Sequence, residues 1–429
     1  MTRTSKLNIF LSTLNFVLCF VGYQLATSLF LPVSADLEGI SRTVTVPYRA
    51  FALLISLLVI FLNLRKKVGK IPPAMKVLWI YWFALIIRIF YDTNIRIDVH
   101  INDTGRLWMY VFGICLPAMF SVMKSYQMID LDKALKWIFL GVVLTMILSL
   151  FNNPALLMHA DEITERIEGN LAFNSIDFGH LGTMGIVLSL FILSRGRVST
   201  IKKIGLIAVM LLSFFIMTRA ASRSPIVALV VILLFWLFAR GKNVVLGVSI
   251  TAVAFGLLIV FIEPILNFMG NISPTMEDRL RMGIYEGYSS GRDVLYQEAF
   301  DSFLNSPLLG KQFAFFDDFG GFAYSHNIVL DAFMGLGFLG GIAMIYILWI
   351  AIKNSYIMIK NNDPHFWICL ILIQQIVLNM FSGAIYYDQL FNVLLTFVFL
   401  YNADSAKQSI LGNTHLHFSE KLQGCNTNR

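Results

Sequence analysis

The chain has 429 residues, 57% of them hydrophobic and 14% charged, with a mean hydropathy of +0.72. Soluble domains carry about 25% charged residues, so this composition excludes an ordinary soluble enzyme and points to an integral membrane protein. The formal charge of +7 is no signature of nucleic-acid binding, because Lys and Arg sit mostly in the connections between apolar runs.

A helix needs about 20 apolar residues to cross a bilayer. Runs of that kind predict about twelve transmembrane helices, near 8–31, 46–64, 74–91, 107–123, 137–153, 180–194, 204–218, 225–239, 243–262, 328–352, 366–385 and 389–402. The first run is too long for the apolar core of a cleavable signal peptide. The tenth contains Gly335, Gly337, Gly340 and Gly341 and is expected to begin as a half-helix or a tilted segment. Cys19, Cys115 and Cys369 fall in spans and Cys425 in the polar tail, so neither disulfides nor a cysteine metal site is expected. His415 and His417 read as part of a solvated tail rather than as metal ligands. No Walker loop, dinucleotide-binding glycine fingerprint or zincin helix occurs.

Cytoplasmic connections are enriched in Lys and Arg. About 21 of the 33 basic residues lie in 65–76, 124–136, 195–203, 240–242, 353–360 and the two ends of the chain. Both termini are therefore expected in the cytoplasm, and the alternate loops on the periplasmic side. The chain divides into a first bundle of nine spans (1–262), a periplasmic loop (263–327), three further spans (328–403) and a cytoplasmic polar tail (404–429). The fold class expected is an all-α integral membrane protein with one long periplasmic loop that carries short amphipathic helices.

That loop holds the chemistry-bearing residues. From Asp293 to Asn305, Tyr296, Ala299, Phe300, Phe303 and Leu304 recur at helical spacing, and Pro307 ends the run. Arg292 then stands at a helix N-terminus. It opposes the helix dipole unless an anion is bound, so it reads either as an anion ligand or as a contact to lipid phosphates. Upstream, Met276, Leu280, Ile284 and Tyr288 predict a second short helix, whose Arg279 and Arg281 read as headgroup contacts. His326 lies where the loop meets the tenth span, suited either to a general base or to a structural role. Asn327 would orient it or cap the next helix. Arg219 and Arg223 share a very short turn between two spans, where a guanidinium is costly unless it faces a polar cavity, and two of them make a diphosphate clamp. The loop 154–179 ends in Gly169, Asn170, Asn174 and Gly179, a set suited to sugar hydroxyls or to a turn and helix cap.

The order of these elements is distinctive. Thr218-Arg-Ala-Ala-Ser-Arg-Ser224 comes first, then Ser290-Gly-Arg-x-x-x-Tyr296 leading into Ser306-Pro-Leu-Leu-Gly310, then Ser325-His-Asn-x-x-Leu330 and Gly335-Leu-Gly-Phe-Leu-Gly-Gly341. Over Met217 to Ile352 the chain resembles the O-antigen polymerase and O-antigen ligase superfamily. The resemblance implies a GT-C-like helical bundle that uses an undecaprenyl-diphosphate-linked glycan as donor, without metal or other cofactor. It implies Arg219, Arg292 and His326 as catalytic residues, with Arg223, Asn327, Tyr296 and Asn174 as candidates for substrate binding. The acceptor would be a second lipid-linked repeat unit in a polymerase or the lipid A core in a ligase. The short stretch Lys311 to Ser325 favours the polymerase, with a chain-length regulator as a further partner. The rival class is a flippase or transporter, which usually carries ionisable residues in mid-span.

Orientation is directly testable. Reporter fusions after Lys67, Arg197 and Lys360 should report the cytoplasm and a fusion near Gly320 the periplasm. A cytoplasmic signal at Gly320 would overturn the placement of the loop and of every site residue in it.

Overall fold

A computed structural model describes residues 3–31, 38–66, 69–96, 101–102, 104–159, 166–170, 173–196, 198–317 and 319–404. Cys425, His415, His417 and the acidic run beginning at Asp161 lie wholly or mostly outside the described residues.

The chain is mostly helical. α1 (Arg3–Val17) continues through a π-helical turn, Leu18–Gly22, into α2 (Tyr23–Phe30). α3 (Glu38–Asn63) and α4 (Pro73–Asn94) follow, then α5 (Thr104–Trp108) and α6 (Leu116–Ser125), joined by a second π-helical stretch, Met109–Cys115. Next come α7 (Leu131–Asn152), α8 (Ser175–Ser194), α9 (Thr200–Arg219), α10 (Arg223–Arg240), α11 (Val244–Val260) and α12 (Ile262–Gly270). The loop region holds α13 (Pro274–Tyr285), α14 (Arg292–Asn305) and two short strands, β1 (Phe315–Phe316) and β2 (Phe322–Ala323). α15 (Ile328–Lys360) and α16 (Trp367–Phe381) return to the bundle, and a last helix occupies 389–404.

Among the described residues nine helices are long and apolar enough to cross a membrane, or ten if α11 and α12, bent by 55°, form one span. Helix starts follow local chemistry. Asp130, Asn174, Asn243, Ser273 and Asn327 each accept a backbone N–H of the helix they precede. α16 is shorter than a full span and buried on nearly every face, which explains why its sequence is apolar all round. Polar pairs stitch the bundle where no water competes: Asn15 Nδ2 donates to Ser121 Oγ at 2.6 Å and Trp82 Nε1 to Asn392 Oδ1 at 3.0 Å.

Three details add to the expected all-α membrane fold. Two short strands interrupt the helices: the Phe-rich stretch 315–323 turns through Gly320 (φ +81°) and pairs Phe315 with Ala323 and Phe316 with Phe322. The stretch from Glu263 opens as helix, and α12 carries apolar residues such as Leu266 onto Met276 and Leu280 of α13. The predicted face of α14 is only partly packed. Ala299 is buried and the Phe303 ring meets Phe333 at 5.0 Å, while Phe300 and Leu304 point outward, because α15 covers a narrower stripe than the apolar face offers.

The glycines of the tenth span have a definite use. α15 breaks at Gly337, whose φ is +64°. The Phe338 N–H freed there donates to Pro307 O at 2.7 Å, and Lys311 N donates to Met334 O at 2.8 Å. A Cβ on Gly337 would sit 2.5 Å from the Leu308 carbonyl carbon, and one on Gly310 only 2.4 Å from that of Gly335. The Pro-Leu-Leu-Gly segment thus docks in the break and ties α14 to α15, the helices that carry Arg292 and follow His326. Gly337→Ala should destabilise the protein by about 1–3 kcal/mol through strain and close contact. Thermal unfolding in detergent reads this, and an unchanged midpoint would mean that the docking contributes nothing.

Candidate active site

The three motifs share an unusual backbone property. Non-glycine residues with positive φ are uncommon and cluster at functional sites, where the surroundings must hold them. Among the described residues four occur: Ala221 (φ 48°), Ser290 (φ 63°), His326 (φ 62°) and Asn362. The first three fall one in each motif. At His326 the strained turn is held by Ser325, whose N–H donates to Asp331 Oδ1 at 2.8 Å, and by Asn327, whose Oδ1 accepts Val329 N at 3.0 Å and Leu330 N at 3.2 Å. The imidazole packs on Tyr324, ring centroids 4.6 Å apart, and its Nδ1 is buried without a partner.

The second feature is a gathering of guanidinium groups. Arg223 opens α10 and reaches the loop, donating to Tyr288 O and to Ser290 Oγ, each at 2.6 Å. It passes over Gly283, where a Cβ would lie 2.4 Å from its Nη1. Arg292 opens α14 after Gly291 (φ +77°) and lies over the Phe381 ring at 5.9 Å. Arg279 comes from α13, with its Nε buried and unpartnered. Its pKa is pushed down to about 10, first by burial and then by Arg166, Arg223 and Arg292. Arg166 is also lowered, by burial and then by Arg292. Among the described residues none of these four has a carboxylate partner. Arg281, two residues from Arg279, is the contrast: Glu263 at 2.9 Å and Glu277 at 2.8 Å neutralise it. Burial first, and Arg292 second, also hold His326 below its ordinary 6.5, so the imidazole is neutral at pH 7.

The expected residues are thus brought together in part. Arg223, Arg292 and His326 converge, and Tyr296, on α14, is near Arg292, its hydroxyl 3.5 Å from Met380 O. Arg219 makes different contacts. It is 7% exposed, donates to Met158 O at 2.8 Å and lies over Phe215. Among the described residues no recorded interaction joins it to the other guanidiniums, although its Nε and Nη1 are buried without partners. The oxygens of Asn327 and Asn174 are occupied as helix caps, Asn174 Oδ1 by Asp177 N at 2.9 Å.

Sequence reasoning missed Arg166 and took Arg279 for a headgroup contact. Arg279 had a readable signal: it directly precedes buried Leu280 and lies on the same short helix as Gly283, a residue that lowers helix stability unless something must pass close by. Arg166 follows the acidic run of its loop and had none. Among the described residues no group of three or more His, Cys, Asp or Glu is placed to hold a metal ion.

The fold and this geometry define a polytopic membrane protein with an uncompensated cationic rim beside a neutral, strained histidine. Residues 207–345 match the family model described as O-Antigen ligase. That interval runs from α9 into α15 and contains Arg219, Arg223, Arg279, Arg292 and His326, so the similarity supports the resemblance to the O-antigen polymerase and ligase superfamily over this segment. A comparison with curated proteins found no match.

Because folding lowers the pKa of Arg279 to about 10, below the ordinary guanidinium range, its charge costs stability at every pH below about 10, and the cost disappears only as pH rises into that ordinary range. Arg279→Gln should therefore raise the unfolding midpoint of the ligand-free protein at neutral pH. It should also weaken the stabilisation given by inorganic pyrophosphate. An undiminished pyrophosphate response would remove Arg279 from the anion site.

Proposed function

We propose that this protein polymerises undecaprenyl-diphosphate-linked oligosaccharide repeat units by glycosyl transfer at the periplasmic face of the bacterial inner membrane. The observation that carries the reading is the set of four unpaired guanidiniums, Arg166, Arg223, Arg279 and Arg292, next to a histidine kept neutral by burial and by one of them. A diphosphate is the anion that such a set fits, and a diphosphate is also a competent leaving group once its growing charge is held.

In this reaction the bond between the anomeric carbon and the phosphate oxygen breaks, and its electron pair leaves with the lipid diphosphate. The acceptor hydroxyl oxygen bonds to the anomeric carbon from the opposite face, with inversion, and its proton passes to neutral His326. Arg223, Arg279 and Arg292 hold the diphosphate, with Arg166 at the edge. Arg219 retains two free donors for a substrate oxygen. Guanidiniums take the part that a divalent ion plays elsewhere, so neither metal nor other cofactor is required. The partners are the lipid-linked donor, a lipid-linked repeat unit as acceptor, the surrounding lipid and a chain-length regulator. The description of the matching family favours a second reading, with the same site and donor but lipid A core as acceptor. Offering each acceptor to the purified protein separates the two, and turnover without a membrane gradient separates either from transport.

The expected kinetics are specific. Arg292→Ala should abolish glycan extension at normal protein level, and Arg292→Lys should recover little, since a point charge does not replace a planar fork. His326→Asn, which tolerates the left-handed backbone, should lower turnover by about 10²–10⁴-fold with donor binding kept. The rate should fall with decreasing pH along a limb centred below 6.5, as the imidazole takes up a proton. Full activity in Arg292→Ala, or lost donor binding with intact transfer in His326→Asn, would defeat the mechanism.

A further inference from the structure

A cavity of about 1400 Å³ lies among the π-helical parts of the first and fourth spans, α3, α8, α16 and the β1–β2 hairpin. It meets the site just described through Tyr324, which lines it and whose ring packs on His326. The lining is not that of a lipid pocket. Tyr324, Tyr387 and Tyr110 follow one another with ring centroids 6.4 Å and 4.6 Å apart. Arg49 continues the row, 5.0 Å from Tyr110 and 5.7 Å from Tyr23. Polar groups share this lining: exposed Asp177, and buried Gln375 and Gln374, the latter with an Oε1 that has no partner. Polar and charged groups among membrane spans are costly and mark a ligand path. Both π-helical stretches line this cavity, with Leu18, Cys19 and Phe20 from one and Met109, Tyr110 and Gly113 from the other. Such bulges are rare and occur often at functional sites.

We infer that this cavity holds the acceptor oligosaccharide, its sugar faces on the row of tyrosines and its hydroxyls on Asp177, Gln374 and Gln375, with the reacting hydroxyl delivered past Tyr324 to His326. Aromatic faces together with amide and carboxylate oxygens in one lining match a ligand whose rings are apolar above and below and polar at the edge. A chain of fatty acid would leave the polar groups unpaired, and an inorganic ion would have no use for the rings. The diphosphate of the donor stays on the separate cationic rim. This inference rests on the proposed transfer reaction for the order of events, but the class of ligand is testable without turnover.

The probe is the free oligosaccharide released by mild acid from the repeat-unit lipid of cells that lack this chain. It carries no diphosphate and serves only as acceptor. Calorimetry on the full-length protein in nanodiscs should give binding that weakens about tenfold in Tyr110→Ala and in Tyr387→Ala and stays near the parent value in Tyr387→Phe. The unfolding-midpoint response to pyrophosphate should be unchanged in all three, which shows an intact rim. Unchanged oligosaccharide affinity in both alanine variants overturns the inference, as does a loss that Tyr387→Phe shares or that takes the pyrophosphate response with it. Wild-type protein that binds the oligosaccharide but transfers nothing to it would defeat the proposed reaction and leave the cavity's ligand in place.

Discussion

Positive charge without a counter-charge is the constraint on which the rest of the loop depends. Four guanidiniums from four places in the chain are held near one another; after burial, Arg166, Arg223 and Arg292 push the pKa of Arg279 down, and Arg292 lowers that of Arg166. Such an arrangement does not assemble by attraction. It has to be imposed by the scaffold, and a bound polyanion would offset it. The chain does supply carboxylates nearby, but Glu263 and Glu277 are spent on Arg281. That pairing pins α13 to α12 and so fixes where Arg279 stands. The same helix leaves out a side chain at Gly283, and Arg223 uses the space. Structural neutralisation and functional non-neutralisation thus occur two residues apart.

The scaffold that imposes this is the broken helix. α15 interrupts its own hydrogen bonding at Gly337, and the freed Phe338 N–H is taken by Pro307. An unpaired backbone donor within a span would be costly, so the break and the docking of the loop require each other. The far side of the loop is fixed in the same way. Asp92, buried between Arg88 at 3.0 Å and Arg96 at 3.6 Å, also accepts the Phe313 N–H at 2.8 Å. The segment between α14 and α15 is therefore held through Pro307, Lys311 and Phe313 at its start and through Ser325 on Asp331 at its end, beside the strained His326 turn. Strain at Ser290 and His326 persists because the chain on each side has nowhere to relax.

Much of this was legible in the amino-acid pattern, and the limits have physical causes. Apolar length located membrane helices, but about twelve were expected, where nine or ten among the described residues are long and apolar enough; α16 is too short to qualify. α13 and α14 followed from apolar spacing with Pro307 as a stop. The short motif around Arg292 was recognisable because glycine before a helix and arginine at its start make sense only around an anion. What pattern cannot reveal is pairing at a distance. Nothing local to Arg281 says that Glu263 will neutralise it, nor to Arg279 that nothing will. Asn327 and Asn174 read equally well as ligands or caps, and their carboxamide oxygens cap helices. The Phe315–Ala323 hairpin was missed because aromatic residues beside two glycines look like any loop until a partner strand is in view. The cavity was missed for the same reason: Tyr23, Tyr110 and Tyr387 are far apart in sequence, and each alone is an ordinary residue of a membrane helix. The π-helical bulges that open it carry no compositional mark.

The two parts of the site are joined by a single charge relation. Arg292 faces both: it belongs to the cationic rim, and its field helps to hold His326 below its ordinary pKa. In the unliganded protein the imidazole is therefore neutral but weakly basic. In the proposed mechanism a diphosphate arriving on the rim would offset the guanidinium charge, so the proton affinity of His326 would rise with the donor in place and fall again when the lipid diphosphate leaves. A base tuned in this way would be strongest in the complex that needs it and would release its proton afterwards. Burial, the larger cause of the depression, is not reversed by the donor and keeps the imidazole unprotonated while it waits. The position of His326 at the mouth of the tyrosine-lined cavity then has a reason beyond reach. In the proposed mechanism His326 would sense the donor's charge through Arg292 and still touch, through Tyr324, the inferred path of the acceptor.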